Sequence, residues 1–224
     1  MNRRHCSSDY LSCPSCPGYL DSVGRFSHFK RLFSSVFTAL ALVLAGTAPL
    51  RAAEPSALML VATPALVDPL YGATVVVAQP IGGGQFLGFI VNKPTKVTVA
   101  EAFPKHTPSQ KVMDPIFVGG PERPNSVFAL VNSEQSPGNG SLQLADDLFV
   151  VLAGTTVDHV IEHDPEHARF LVGAVLWQPG ELEAEIKRGA WFVETPVTDL
   201  MMRKETGTLW QDLVQRREAR RRAI

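Results

Sequence analysis

Beyond residue 16 the 224-residue sequence contains no cysteine: Cys6, Cys13 and Cys16 are the only three. Whatever folds downstream has no disulfide and no thiol nucleophile. Cys13 and Cys16 form a C-P-S-C, a spacing used by zinc and redox sites. Zinc requires a second ligand pair, and only His5 and Cys6 stand nearby, without the usual spacing. The glycine run IGGGQ (81–85) is not followed by Gly-Lys-Ser/Thr and leads into a strand, which excludes a phosphate loop. No helix-turn-helix and no internal repeat can be read. Charge does not favour nucleic acid either. The formal net charge is −1, but residues 1–53 hold six Lys/Arg against two acids, leaving 15 basic and 20 acidic residues in 54–224, a net of −5. Such a domain repels a phosphate backbone unless its basic residues cluster on one face.

What is present is enough for one folded domain: 45% of the residues are hydrophobic, and the length accommodates a sizeable core. The first 53 residues read separately. A basic patch (Arg25, Lys30, Arg31) precedes an apolar run over 32–48 and an Ala-rich end, the order of a secretory signal. Cleavage is expected after Ala52 or Ala53, giving a periplasmic or secreted protein. Thr47, not cysteine, follows Leu44-Ala45-Gly46, so no lipoprotein signal is written here. The competing readings are an uncleaved membrane anchor, since 17 to 19 apolar residues can just span a bilayer, and a cytoplasmic protein with a mis-assigned leader. Residues 1–24 read as a disordered leader, and no methionine between Met1 and Met59 offers another start.

From residue 54 to 215 the chain reads as a single domain. ALMLVA (57–62), ATVVVA (73–78), LGFIVN (87–92), DPIFVGGP (114–121), SVFALVN (126–132), LFVVLAG (148–154), RFLVGAVLW (169–177) and AWFVE (190–194) predict strands, with a hairpin turn at 81–85 and a turn at 136–141. TVAEAF (98–103) predicts a short helix capped by Thr98. TVDHVIEH (156–163) predicts helical turns stopped by Asp164-Pro165. PGELEAEIKRG (179–189) predicts a helix from its leading Pro and closing Gly. Residues 197–222 predict further helix, with 216–224 as a basic tail. Strands outnumber helices and pair as hairpins, so an α+β fold is expected.

The carboxylates of the 180–188 helix raise the question of catalysis. Leu182 and Ile186, four apart, share the buried face, and Glu181 and Glu185 are expected on a solvated one. Acidic residues near a helix N-terminus are favoured by its dipole, and a solvated face does not separate two carboxyl pKa values as acid–base catalysis requires.

The same stretch carries a resemblance. LVGAVLWQPGELEAEIKRGAWFV resembles the YqgE/AlgH family segment G-Y-A-G-W-x-x-G-Q-L-E-x-E-L-x-x-x-A-W-L. LMLVATPALVDPLYGATVVVA, LGFIVNKPT, PIFVGGPERPNSVFAL and VTDLMMRKETGTLWQDLV resemble further family stretches in the same order, from about residue 57 to 214. The resemblance implies an α+β fold built on a partly open β-barrel or mixed sheet with helices packed around it. It implies no activity, although some members carry the label of transcriptional regulator. Where many members have Cys-Glu-His after the second strand, this chain has Ala78-Gln79-Pro80, so no thiol-dependent role can operate there. The family's Tyr-Ala-Gly before the tryptophan reads Ala174-Val175-Leu176 here, which leaves only Gly173 and Trp177 in approximate register.

Three other clusters offer chemistry. Asn92 and Lys93 end one strand and Gly119 and Gly120 another; if these loops meet, their polar groups could hold a small anion, and with Trp177 they are the expected ligand-binding residues. His159 and His163 are four apart on a helix and could share a metal, while Pro165 takes His167 out of line. QRREARRRAI (215–224) holds five arginines and could meet acidic lipid or nucleic acid. The expected function is a non-enzymatic binding or regulatory protein with a protein or small-molecule partner and no cofactor. Nucleic acid is not expected for an exported chain, and a membrane contact is expected only through the leader or the basic tail. A transcriptional regulator is the alternative, and a metal-dependent enzyme using the histidines a weaker one.

Overall fold

The computed structural model describes residues 56–223, and the leader and signal or anchor segments expected at 1–53 lie outside them. The strands, in chain order, are β1 (Leu58–Ala62), β2 (Val75–Gly82), β3 (Gln85–Ile90), β4 (Pro94–Thr98), β5 (Pro115–Val118), β6 (Glu122–Asn132), β7 (Ser141–Ala145), β8 (Leu148–Val151), β9 (Ala168–Trp177) and β10 (Trp191–Glu194). The helices are α1 (Val99–Ala102), α2 (Gly154–His163), α3 (Glu181–Lys187), α4 (Thr198–Met201) and α5 (Leu209–Arg222). The strands form one sheet in the order β10-β1-β2-β3-β9-β6-β8-β7, curled into a half-barrel, with β4 and β5 branching from it. The fold is α+β, as expected. Among the described residues no helix is long and apolar enough to cross a membrane.

The unbroken apolar runs are explained by burial on both faces. Val75, Val77 and Phe89 point into the core inside the curl. Val76, Ala78 and Ile90, their neighbours along the same strands, pack on the outside with Leu182 of α3. On the other half of the sheet, Ala129, Val131 and Phe170 pack beneath Val157, Val160 and Ile161 of α2. A strand covered on both sides needs apolar residues at successive positions, not alternate ones.

β9 is the hinge of the topology. Its first half pairs with β6 on one side and, in parallel, with β5 on the other; its second half pairs with β3. The change of partner coincides with Gly173, whose φ is +74°. Backbones converge here: a Cβ on Gly119 would lie 2.3 Å from the Gly173 carbonyl oxygen, and one on Gly120 would lie 2.2 Å from that of Ala174. These glycines exist to let three strands touch.

The structure departs from the sequence reading in particular places. Residues 197–222 are not one helix: α4 and α5 are separated by 202–208, and the boundary expected at 215/216 falls inside α5. The strands β4 and β7 were not expected. Thr98 does cap α1, in a reciprocal capping box with Glu101. The hairpin at 81–85 is present, with all three glycines at positive φ.

Candidate functional site

The end of β9, helix α3 and the start of β10 form three sides of a cleft of about 570 Å³, closed on the fourth by the 65–71 loop. Its centre is Glu185. The Glu185 Oε2 atom accepts a hydrogen bond from the indole Nε1–H of Trp177 at 3.0 Å and another from that of Trp191 at 2.8 Å. Both indoles are buried, Trp177 to 4% and Trp191 to 5% residual exposure, and a buried indole N–H needs an acceptor. The two rings meet edge to face with centroids 6.5 Å apart, and Tyr71 meets Trp191 in the same way at 6.4 Å. Oε1 of Glu185 takes no hydrogen bond from the described residues.

The expectation of a solvated Glu185 is therefore corrected. Glu185 follows Leu182 by three positions, which places it on the flank of the buried face and not opposite it. Leu182 anchors α3 at 1% exposure, and Glu185 is half-buried beside it. Glu181 is the exposed one; its Oε2 accepts from the Gln178 backbone N–H at 2.8 Å and fixes the entry to the helix. A legible signal existed, since two tryptophans flank one short helix that carries a carboxylate between them.

The rest of the cleft combines acid with apolar wall. Asp68 organises the loop by accepting from the Leu70 and Tyr71 N–H groups at 2.8 and 2.7 Å. Burial, and then the negative charges of Glu185, Asp68 and Glu122, raise the Tyr71 phenol above its ordinary value, so it stays protonated and able to donate. Leu66 and Leu176 complete the wall, and Leu176 is unusually exposed for a leucine, at 38%. Asp68, Glu181 and Glu185 face a single cation, Arg188, so the cleft is net acidic.

Of the residues expected to bind a ligand, only Trp177 lines this cleft. The two loops do meet, since the Val118 N–H donates to the Lys93 carbonyl at 2.8 Å, but their polar groups are engaged within the fold. Asn92 accepts from the Val75 N–H at 2.8 Å and donates to the Ala73 carbonyl at 3.0 Å. Lys93 donates to the Gly72 carbonyl at 3.1 Å, and the Gly119 N–H to Val172 at 2.8 Å. Asn92 and Lys93 thus pin the loop that closes the cleft, and Gly119 and Gly120 serve strand contact. His159 and His163 sit on the exposed side of α2, away from the cleft lining, and His167 pairs with Asp164 at 2.6 Å instead of joining them.

Comparison with known proteins fits this architecture. The sequence profile of the AlgH-like family matches residues 59–221. A UPF0301 protein of Anaeromyxobacter dehalogenans (strain 2CP-C) is 28% identical over 167 residues, covering 70% of this chain and 85% of that protein. A UPF0301 protein of Serratia proteamaculans (strain 568) is 25% identical over 170 residues, covering 70% and 88%. Among solved structures, a Corynebacterium diphtheriae protein superposes with a TM-score of 0.57 at 22% identity, over 71% of this chain and 85% of that one. The AlgH protein of Pseudomonas aeruginosa superposes with a TM-score of 0.55 at 22% identity, over 65% and 79%. At that identity the superpositions establish the fold alone.

Proposed function

We propose that this chain, which belongs to the AlgH-like family, is a binding protein and not an enzyme, and that its ligand is a small organic cation held in the Glu185 cleft. The observation that carries the reading is the fork of two indole N–H groups on one oxygen of Glu185. Charge-assisted bonds of this kind fix a carboxylate in place. Among the described residues its other oxygen takes no partner, at the wall of a cleft whose volume is that of a small-molecule site. An ammonium or guanidinium group would pair with Glu185, and its apolar body would rest on Leu66, Tyr71 and Leu176.

Turnover is disfavoured by what lines the same cleft. No histidine, cysteine, serine, threonine or lysine is among the lining residues, and each of the lining carboxylates, Asp68, Glu181 and Glu185, already accepts hydrogen bonds within the fold. The regulator reading gains no comparable support. The arginines that a nucleic acid would need are partly committed, with Arg217 paired to Glu194 at 2.6 Å and Arg220 to the same carboxylate at 3.5 Å.

Titration calorimetry with phenethylammonium tests the binding reading. Saturable binding to the full chain is expected, weakened by about tenfold or more in Glu185→Gln, which keeps an acceptor for the indoles but removes the charge. Equal affinity in both proteins would refute it. Export is part of the same reading and rests on the basic and apolar segments of 25–53. Mass spectrometry of the N-terminus after cell fractionation is expected to find a start near Ala53 or Glu54 in the periplasmic fraction. An intact leader on cytosolic protein would refute export and reopen the regulator reading.

A further inference from the structure

We infer that His106, His159, Glu162 and His163 form a second site, independent of the cleft, that takes a divalent transition-metal ion of the zinc class. The residues are H-x-x-E-H along α2 plus one histidine from the segment after α1. One ligand atom from each of His159, Glu162 and His163 lies within 4.8 Å of the others. The Nε2 atom of His106 comes from across the groove to 3.4 Å from Glu162 Oε1. Ligands of a tetrahedral zinc ion, each about 2.0–2.2 Å from the metal, are about 3.5 Å apart; the His106–Glu162 pair is already at that spacing, and the exposed side chains of His159 and His163 must rotate to join it.

The arrangement around the rings is what separates this cluster from a chance gathering of surface histidines. The Nδ1 atom of His163 lies 2.9 Å from the His159 carbonyl oxygen. A carbonyl only accepts, so Nδ1 carries the proton and Nε2 is left with its lone pair. His106 is also held on its other ring nitrogen: its Nδ1 lies 2.6 Å from Oγ of Ser109, a fully buried residue, while its Nε2 faces Glu162. Metal-binding imidazoles are oriented by a partner on the opposite nitrogen in this way. The rings of His159 and His163 are already adjacent, tilted by 33° with centroids 4.1 Å apart.

The inner face of α2 packs through Val157, Val160 and Ile161 and holds the helix rigid beneath the cluster. Because His159, Glu162 and His163 are exposed, the ion would exchange with solvent. It would tie the 106 segment to α2, a connection the fold otherwise makes only by the His106–Glu162 contact and by packing.

The test is calorimetry of zinc chloride binding to the full chain with Cys6, Cys13 and Cys16 replaced by serine, so that the leader thiols do not compete. One zinc per chain is expected, with a rise in melting temperature. Saturable binding at this stoichiometry is expected to be lost in His163→Ala and in His159→Ala. His106→Ala and Ser109→Ala are each expected to weaken it about tenfold. His167→Ala serves as the control and is expected to bind as the parent does. Absence of binding, or binding unchanged in the His159 and His163 variants, would overturn the site. An unchanged affinity in His106→Ala would overturn the assignment of four ligands and the tie between segments. Phenethylammonium binding in the cleft is a separate readout, so failure of one site leaves the other standing.

Discussion

Replacing Arg169 by alanine is expected to lower the free energy of unfolding by about 3–5 kcal/mol. Arg169 lies on β9 at 6% exposure, an unusual position for a guanidinium. Its Nη1 donates to the carbonyls of Val91 at 2.8 Å and Met201 at 2.5 Å, and its Nη2 to that of Arg203 at 2.5 Å. Those three acceptors belong to the residue after β3, the end of α4 and the segment leading to α5. Arg169 is therefore the clasp that fastens the C-terminal helices to the sheet. It lies over the Phe117 ring, 4.4 Å from the centroid. Among the described residues it has no ion-pair partner, and burial lowers its ordinary pKa to about 10, so it stays charged at neutral pH. Removing it relieves that desolvation cost, but it orphans three carbonyls at about 1–3 kcal/mol each, and the second effect is larger. Arg169→Lys keeps the charge but has one nitrogen to reach three acceptors, so it is expected to recover only part of the loss. Urea unfolding of the three proteins checks this, and a loss below about 1 kcal/mol in Arg169→Ala would refute the clasp.

The second large effect is expected at Gly173. A methyl group there would lie 2.2 Å from the Gly120 carbonyl oxygen and 3.0 Å from that of Glu122, on a residue whose φ is +74°. The backbone conformation alone costs a non-glycine residue about 1–2 kcal/mol. Gly189 measures that part by itself: its φ is +79°, yet a Cβ would meet nothing within 4 Å. Gly189→Ala is thus expected to cost about 1–2 kcal/mol and Gly173→Ala about 4 kcal/mol or more, since the 120–122 segment and β9 must separate to admit the methyl. Equal losses at the two sites, read from the same urea transitions, would show that the strands do not converge as described.

How far the fold was legible follows from the same packing. Residues 75–78, 148–151 and 170–175 are legible as strands because both their faces are covered and no polar residue interrupts them. β4 reads PTKVT, is largely exposed and begins with proline, so neither apolarity nor alternation marks it. β7 begins directly after a Ser-Pro-Gly-Asn-Gly turn and shows only two leucines. Arg169 looked like the polar edge of an apolar run, and only the arrival of α4 supplies its acceptors. Asn92 and Lys93 were legible as polar groups at a strand end, but not as the pins of a loop twenty residues earlier in the chain. The cleft was half legible. Trp177 is legible as a site residue, whereas Glu185 reads as solvated when only the four-residue spacing of Leu182 and Ile186 is used to define the buried face. Its three-residue spacing from Leu182 puts it on the flank of that face.

The central claim is that Glu185, with Trp177 and Trp191 bonded to it, receives a cationic ligand. The most direct measurement is the nitrogen–proton spectrum of the indole groups during titration with phenethylammonium. The sequence has three tryptophans, and the third, Trp210, donates its Nε1–H to the Ala62 carbonyl at 2.7 Å, outside the cleft lining. The Trp177 and Trp191 resonances are expected to shift together and saturably as Glu185 engages the cation, with Trp210 unmoved. Three unchanged resonances at saturating amine, or equal shifts in all three, would contradict the account.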